Sequence, residues 1–182
     1  MSARKDLTAL AVAPTRRQLI AGVGMAFASL AVRTDGWEKT QQAATESQST
    51  GADKLRTYLH QEIDLKASAE RIYDALLDST QFSAFTGLPA EIDPKEGGAF
   101  SMFGGLIVGR NIELIPSQRI VQAWRPTSWE PGVYSIVRFQ FKEDAPETRV
   151  VLDHTGFPEG KFVGLDSGWH ERYWGPLRKF FA

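Results

Sequence analysis

Between Tyr58 and Leu65 apolar and polar residues alternate, with Leu59, Ile63 and Leu65 on one side and His60, Glu62 and Asp64 on the other. A period of two predicts a half-buried strand. The period then lengthens. In SAERIYDALLD, Ser68 to Asp78, Ile72 and Leu76 stand four apart, as do Tyr73 and Leu77, behind a serine that can cap; this predicts a helix. The next stretch, STQFSAFTG, predicts a second short helix, capped by Ser79, closed by Gly87, and carrying Phe82 and Phe85 on one side. From Leu88 onward the pattern is one of short strands and turns. AFSMF breaks at Gly104-Gly105, LIVGRNIELI ends at Pro116-Ser117, RIVQAWRPT follows, and YSIVRFQFK turns through EDAPE into TRVVLDHTGF. Strands punctuated by Gly, Pro and Asp predict an antiparallel meander.

The last element, SGWHERYWGPLRKFF, returns to helical spacing. Trp169, Tyr173 and Leu177 step by four, with Phe180 or Phe181 completing one apolar stripe. Pro176 has no N–H and crowds the preceding turn, so a bend is expected near Gly175-Pro176. Strand, two helices, meander and helix give an α+β domain. A curved sheet closing over the C-terminal helix is the natural burial for that stripe.

Ahead of this domain the pattern differs. Gln18 to Val32 is an apolar run interrupted by Gly22 and Gly24, and it is shorter than the ~20 residues of a membrane span. Arg16-Arg17 stand just before it, Arg4 and Lys5 further upstream, and small residues close it at Ala26-Phe27-Ala28 and Ser29-Leu30-Ala31. A basic start, a short apolar stretch and a small-residue end read as an export signal over residues 1–33, and the paired arginines as its twin-arginine form. A buried helix and an uncleaved inner-membrane anchor are the alternatives. The signal implies the periplasm or the exterior of a bacterial cell, with the twin-arginine translocation machinery as a partner. Residues 34–54, rich in Gln, Thr, Ser and Ala, read as a flexible linker. The domain is then 55–182.

That domain carries 14 Lys and Arg against 17 Asp and Glu, a net charge of −3, with no basic block. Neither nucleic acid nor an anionic membrane surface is implied. The chain has no cysteine, which excludes disulfides, thiolate metal sites and a cysteine nucleophile. Nucleophile elbow, phosphate loop and dinucleotide fingerprint are all absent from the sequence. Three scattered histidines lack metal-ligand spacing, so no metal and no cofactor is expected. His60 and Glu62 with one outside ligand would make at most a weak divalent site, and a solvent-facing polar row is the commoner arrangement. His170 reads as solvated. Arg125 and Arg138 read as outward-facing, the alternative being that one turns inward to a ligand carboxylate or to Glu113.

IDLKASAERIYDALLDSTQFSAFTG resembles the opening of the START/Bet v 1-like superfamily. EGGAFSMFGGLIVGRNIELIPSQRIVQAWRPTSWEPGVYSIVRFQF, TRVVLDHTGFP and SGWHERYWGPLRKFF resemble its branch named for the activator of Hsp90 ATPase C-terminal domain. The resemblance implies the helix-grip fold, an antiparallel sheet wrapped around a long C-terminal helix, often with an apolar cavity between them. In the superfamily that cavity serves carriers, receptors and cyclases, so the resemblance gives a scaffold before it gives a function.

Given that scaffold, the aromatic load reads as a cavity lining. Its expected members on helices are Tyr73, Phe85, Trp169 and Tyr173. Those on strands are Phe100, Met102, Trp124, Phe139 and His154. The expected function is an exported protein holding a small apolar or aromatic molecule, its polar end near His154. A cyclase- or hydratase-type enzyme with His154 as acid/base is one alternative. An Hsp90 ATPase regulator is the other; it rests on the family name, and an exported mature protein would not meet Hsp90.

Overall fold

The computed structural model describes residues 51–182. The expected export signal over 1–33, with the Arg16-Arg17 pair, and the expected linker up to residue 50 lie outside the described residues. Residues 51–55 form a helical turn, and the Lys54 carbonyl accepts a hydrogen bond from the Gly160 N–H at 2.7 Å. The Arg56 guanidinium lies 3.7 Å above the centre of the Phe162 ring. The domain's contacts thus begin ahead of Leu55.

The chain runs through β1 (Tyr58–Leu65), α1 (Ala69–Leu77) and α2 (Ser79–Thr86). The strands β2 (Glu91–Ile92), β3 (Ala99–Met102), β4 (Ile107–Ile115), β5 (Arg119–Pro126), β6 (Ser135–Asp144) and β7 (Glu147–Thr155) follow. The C-terminal helix comprises α3 (Phe162–Trp169), a π-helical segment (His170–Trp174) and α4 (Gly175–Phe180). One seven-stranded antiparallel sheet has the order β1-β7-β6-β5-β4-β3-β2. From β2 to β7 each strand pairs with its successor, which is the expected meander. β1 instead pairs with the last strand, Leu59 opposite His154 and Ile63 opposite Val150. Strands β1 and β2 are therefore at opposite edges, and α1 and α2 carry the chain from one to the other. This is the helix-grip architecture.

The period-two pattern sorts the faces. Leu59, Gln61, Ile63 and Leu65 of β1 are buried, as are Ser135, Val137, Phe139 and Phe141 of β6. Ser68 caps α1 as expected, accepting from the Arg71 N–H at 3.4 Å. The cap of α2 is Asp78, not Ser79: its carboxylate accepts from the Gln81 N–H at 2.8 Å. The Ser79 hydroxyl accepts instead from the Ile92 N–H at 2.9 Å, which ties the helix to β2. Gly87 closes α2 in the left-handed region, φ 71°.

Trp169, Tyr173 and Leu177 are buried as expected, and Phe181 rather than Phe180 completes the stripe. The proline acts earlier than expected. Pro176 has no N–H to offer the Arg172 carbonyl, and the helix widens over His170–Trp174, where the Gly175 N–H reaches the His170 carbonyl. A Cβ on Gly175 would lie 3.2 Å from that carbonyl oxygen. The wider turn brings Trp174 inward beside Tyr173, and both are buried.

Candidate functional site

Most of the space between sheet and C-terminal helix is filled. Trp169 stacks on Trp124 with ring centres 5.7 Å apart, and on Trp174 at 5.8 Å. The edge of Phe139 meets Trp169 at 5.7 Å. Large aromatic faces packed at such distances leave no room for a ligand among them. Tyr73, Phe85, Met102 and Phe139, expected to line a cavity, are core residues at this interface. Phe100 packs there too, its ring over Gly109, where a Cβ would come within 2.3 Å of it.

His154 is sealed within this layer at 0 % exposure. Its Nδ1 accepts from the Trp169 indole N–H at 3.1 Å, so the ring proton sits on Nε2. Nε2 donates to the Ser135 hydroxyl at 2.7 Å, and that hydroxyl donates to the Trp124 carbonyl at 2.9 Å. Every polar atom of the relay has its partner. Burial in an aromatic shell penalises the charged ring and holds its pKa down at about 3. Both nitrogens are committed and the ring stays neutral at physiological pH. His154 therefore locks helix to sheet, with both ring nitrogens spent on that link. A second buried contact, which the sequence reading missed, does similar work. Gln61 points inward from β1, donates to the Asp166 carboxylate at 2.7 Å and accepts from the Trp174 indole N–H.

At one end of the helix the packing opens into a cleft of about 340 Å³. One wall is the turn after β3 and the start of β4, with Phe103, Leu106 and Ile107. A second is the end of β5 and the turn beyond it, with Trp124, Pro126, Thr127 and Ser128. The helix supplies Gly164, Leu165, Gly168, Trp169, Arg172 and Tyr173. Three of the nine expected lining residues, Trp124, Trp169 and Tyr173, are thus present. The glycines make the opening. Gly164 and Gly168 are one helical turn apart, and a Cβ on either would meet nothing within 4 Å. Glycine in a helix costs roughly 0.5–1 kcal/mol against alanine, and here it keeps a wall clear. The Thr127 N–H and hydroxyl both donate to the Leu106 carbonyl, at 2.9 and 3.2 Å, and fasten the two turns at the mouth.

The cleft is apolar with few polar groups. The Trp124 indole N–H is buried without a hydrogen-bond partner, a state that costs about 1–3 kcal/mol. The nearby Tyr173 hydroxyl feels this N–H outside bonding geometry, and its one bond is a weak one to the Met102 sulfur at 4.0 Å. Burial pushes the Tyr173 phenol pKa up, so the group stays neutral. Arg172 is the single charged side chain of the lining.

The remaining strand candidates lie on the convex face. His60 donates toward Asp153 at 2.8 Å and lies 3.4 Å from Glu62, and Arg138 reaches Asp153 at 2.6 Å. The hydrogen bond to Asp153 raises the His60 pKa. Burial pulls the Asp153 carboxyl up, but hydrogen bonds from His60 and Arg138 outweigh it and hold the pKa down. Glu113 pairs with Arg119 at 2.7 Å, not with Arg125 or Arg138. Arg125 donates to the Trp129 carbonyl at 3.3 Å and lies 5.7 Å over Tyr134. His170 is exposed on the helix.

The model of the family described as Activator of Hsp90 ATPase homolog 1-like protein matches residues 66–182. A relative from Dictyostelium discoideum, "Activator of 90 kDa heat shock protein ATPase homolog", is 33% identical over 120 residues, 65% of this chain and 31% of that protein. The human "Activator of 90 kDa heat shock protein ATPase homolog 1" is 28% identical over 115 residues, 63% of this chain and 34% of that protein. The chain spans about a third of the length of these curated relatives. Among solved structures, an HSP90 activator from Plasmodium falciparum superposes with TM-score 0.66 at 24% identity, covering 69% of this chain and 96% of that one. CalU16 from Micromonospora echinospora gives 0.60 at 20% identity, covering 69% and 76%. At these identities the structural likeness establishes the fold.

Proposed function

Because the chain belongs to the Activator of Hsp90 ATPase homolog 1-like family, on a scaffold that closes a sheet over a helix, we propose that it binds a small apolar or aromatic molecule in the cleft beside Trp124 and Trp169. The observation that carries this reading is the wall kept clear by Gly164 and Gly168, at a cost in helix stability that packing alone does not require. A volume of about 340 Å³ lies at the small end of ligand pockets. Binding is favoured over chemistry because the one candidate acid/base, His154, has both nitrogens committed to the fold. The ligand enters from the end of the helix and does not reach the sheet centre. On this reading Arg16 and Arg17 direct the protein out of the cytoplasm, and the ligand is met in the periplasm or outside.

Native mass spectrometry of the full chain purified from its own cells tests the reading. The expected result is a bound small molecule that is absent from a Gly168→Leu variant, whose side chain would occupy the cleft. A bare protein, together with no uptake from a panel of apolar ligands, would refute it.

A second reading, contact with an Hsp90-type chaperone, is favoured by the names of the relatives. It requires the chain to remain in the cytoplasm, which an export assay decides.

A further inference from the structure

Resting on the binding reading above, we infer that the cleft selects an amphiphilic monoanion, with a carboxylate or an equivalent oxyanion at Arg172 and an apolar body against Trp124 and Leu165. Arg172 is the one charged group of the lining, stands exposed at the mouth, and has no carboxylate partner among the described residues. Arg56, Arg119, Arg138 and Arg149 are paired with Asp53, Glu113, Asp153 and Asp64, whereas Arg71, Arg110, Arg125 and Arg178 have no carboxylate partner among the described residues either; of these unpaired arginines it is Arg172 that lines the cleft. An arginine left unpaired beside an apolar cleft is a fitted receptor for one planar oxyanion. No lining side chain is acidic, and a cationic amphiphile would find no counter-charge.

Two dyes with the same aromatic body isolate the charge: 1-anilinonaphthalene-8-sulfonate, an anion, and N-phenyl-1-naphthylamine, its neutral parent. Each is titrated into the full chain by fluorescence at low salt. The anion is expected to bind about tenfold more tightly. Arg172→Gln should bring it down to the neutral dye's affinity while leaving the neutral dye unchanged. Added salt should weaken the anion alone. Gly168→Leu should abolish both. Equal affinity of the two dyes, or an anion preference that survives Arg172→Gln, would overturn the charge inference and leave the cleft reading standing. Failure of both dyes to bind, or binding indifferent to Gly168→Leu, would overturn the cleft reading and this inference with it.

Discussion

The indole N–H of Trp169 donates to Nδ1 of His154 at 3.1 Å, joining the C-terminal helix to the inner face of β7. The bond fixes the imidazole tautomer and spends the nitrogen that an acid/base role would need. Burial also turns the ring into a built-in pH sensor of folding. The native His154 pKa, about 3, lies below the ordinary value of about 6.5. Above about pH 6.5 both folded and unfolded histidine are neutral and His154 contributes no pH dependence. As pH falls below that, the unfolded chain takes up a proton that the folded one refuses, so stability is lost at about 1.4 kcal/mol per pH unit until about pH 3. Chemical denaturation of the wild type and His154→Gln across this range should show the slope reduced in the variant. Parallel profiles would mean the ring is protonated in the fold.

His60 should act in the opposite sense. Its folded pKa is raised, first by the hydrogen bond to Asp153. Its contribution is complete below the unfolded value of about 6.5 and is lost as pH rises through the folded one. The stability advantage of the wild type over His60→Gln should therefore shrink between about pH 6 and about pH 8. An advantage that grows with pH would contradict the assignment.

Trp169 is 2 % exposed and stacks on two other indoles. Trp169→Ala should cost about 3–5 kcal/mol, read from denaturant midpoints at constant m-value. Trp169→Phe keeps the packing but strands the His154 Nδ1, and should cost less than the alanine change. A loss well under about 1 kcal/mol for alanine would place the stripe outside the core.

Gly164→Ala should do the reverse. The site is helical with open space at the Cβ position, so stability should rise by about 0.5–1 kcal/mol. Destabilisation would mean that the wall is closed in solution.

On export, residues 1–45 fused to a reporter should carry it across the membrane, and Arg16→Lys with Arg17→Lys should stop it. Mass spectrometry of the native protein should find a start between Ser29 and Thr45. Intact cytoplasmic protein beginning at Met1 or Ser2 would favour the chaperone reading.

Strand alternation from Leu59 to His154 and the 169–173–177 stripe were legible because a period of two or four is written in apolar residues. Trp174 was not, because its inward turn needs the π segment that Pro176 accompanies. Gln61 was missed because a polar residue on a buried face declares itself only when Asp166 and Trp174 arrive from elsewhere in the chain. The cavity lining was read from large residues, which fill space. The cleft was made by small ones, Gly164 and Gly168, whose meaning depends on what stands opposite. Tyr73, Phe85 and Met102 were therefore indistinguishable in sequence from Trp124, although only Trp124 lies where the helix end leaves the sheet uncovered.

The central claim is that a ligand sits in this cleft against Trp124. The most direct measurement is a two-dimensional ¹⁵N NMR titration of the full chain with N-phenyl-1-naphthylamine, following backbone amides and tryptophan indole N–H groups. The account predicts that the largest shifts fall on Gly164, Gly168 and the indole N–H of Trp124. The indole N–H of Trp174, held by Gln61 behind the aromatic layer, should hardly move. Shifts confined to the convex face around His60 and Arg138, or no shifts at all, would contradict it.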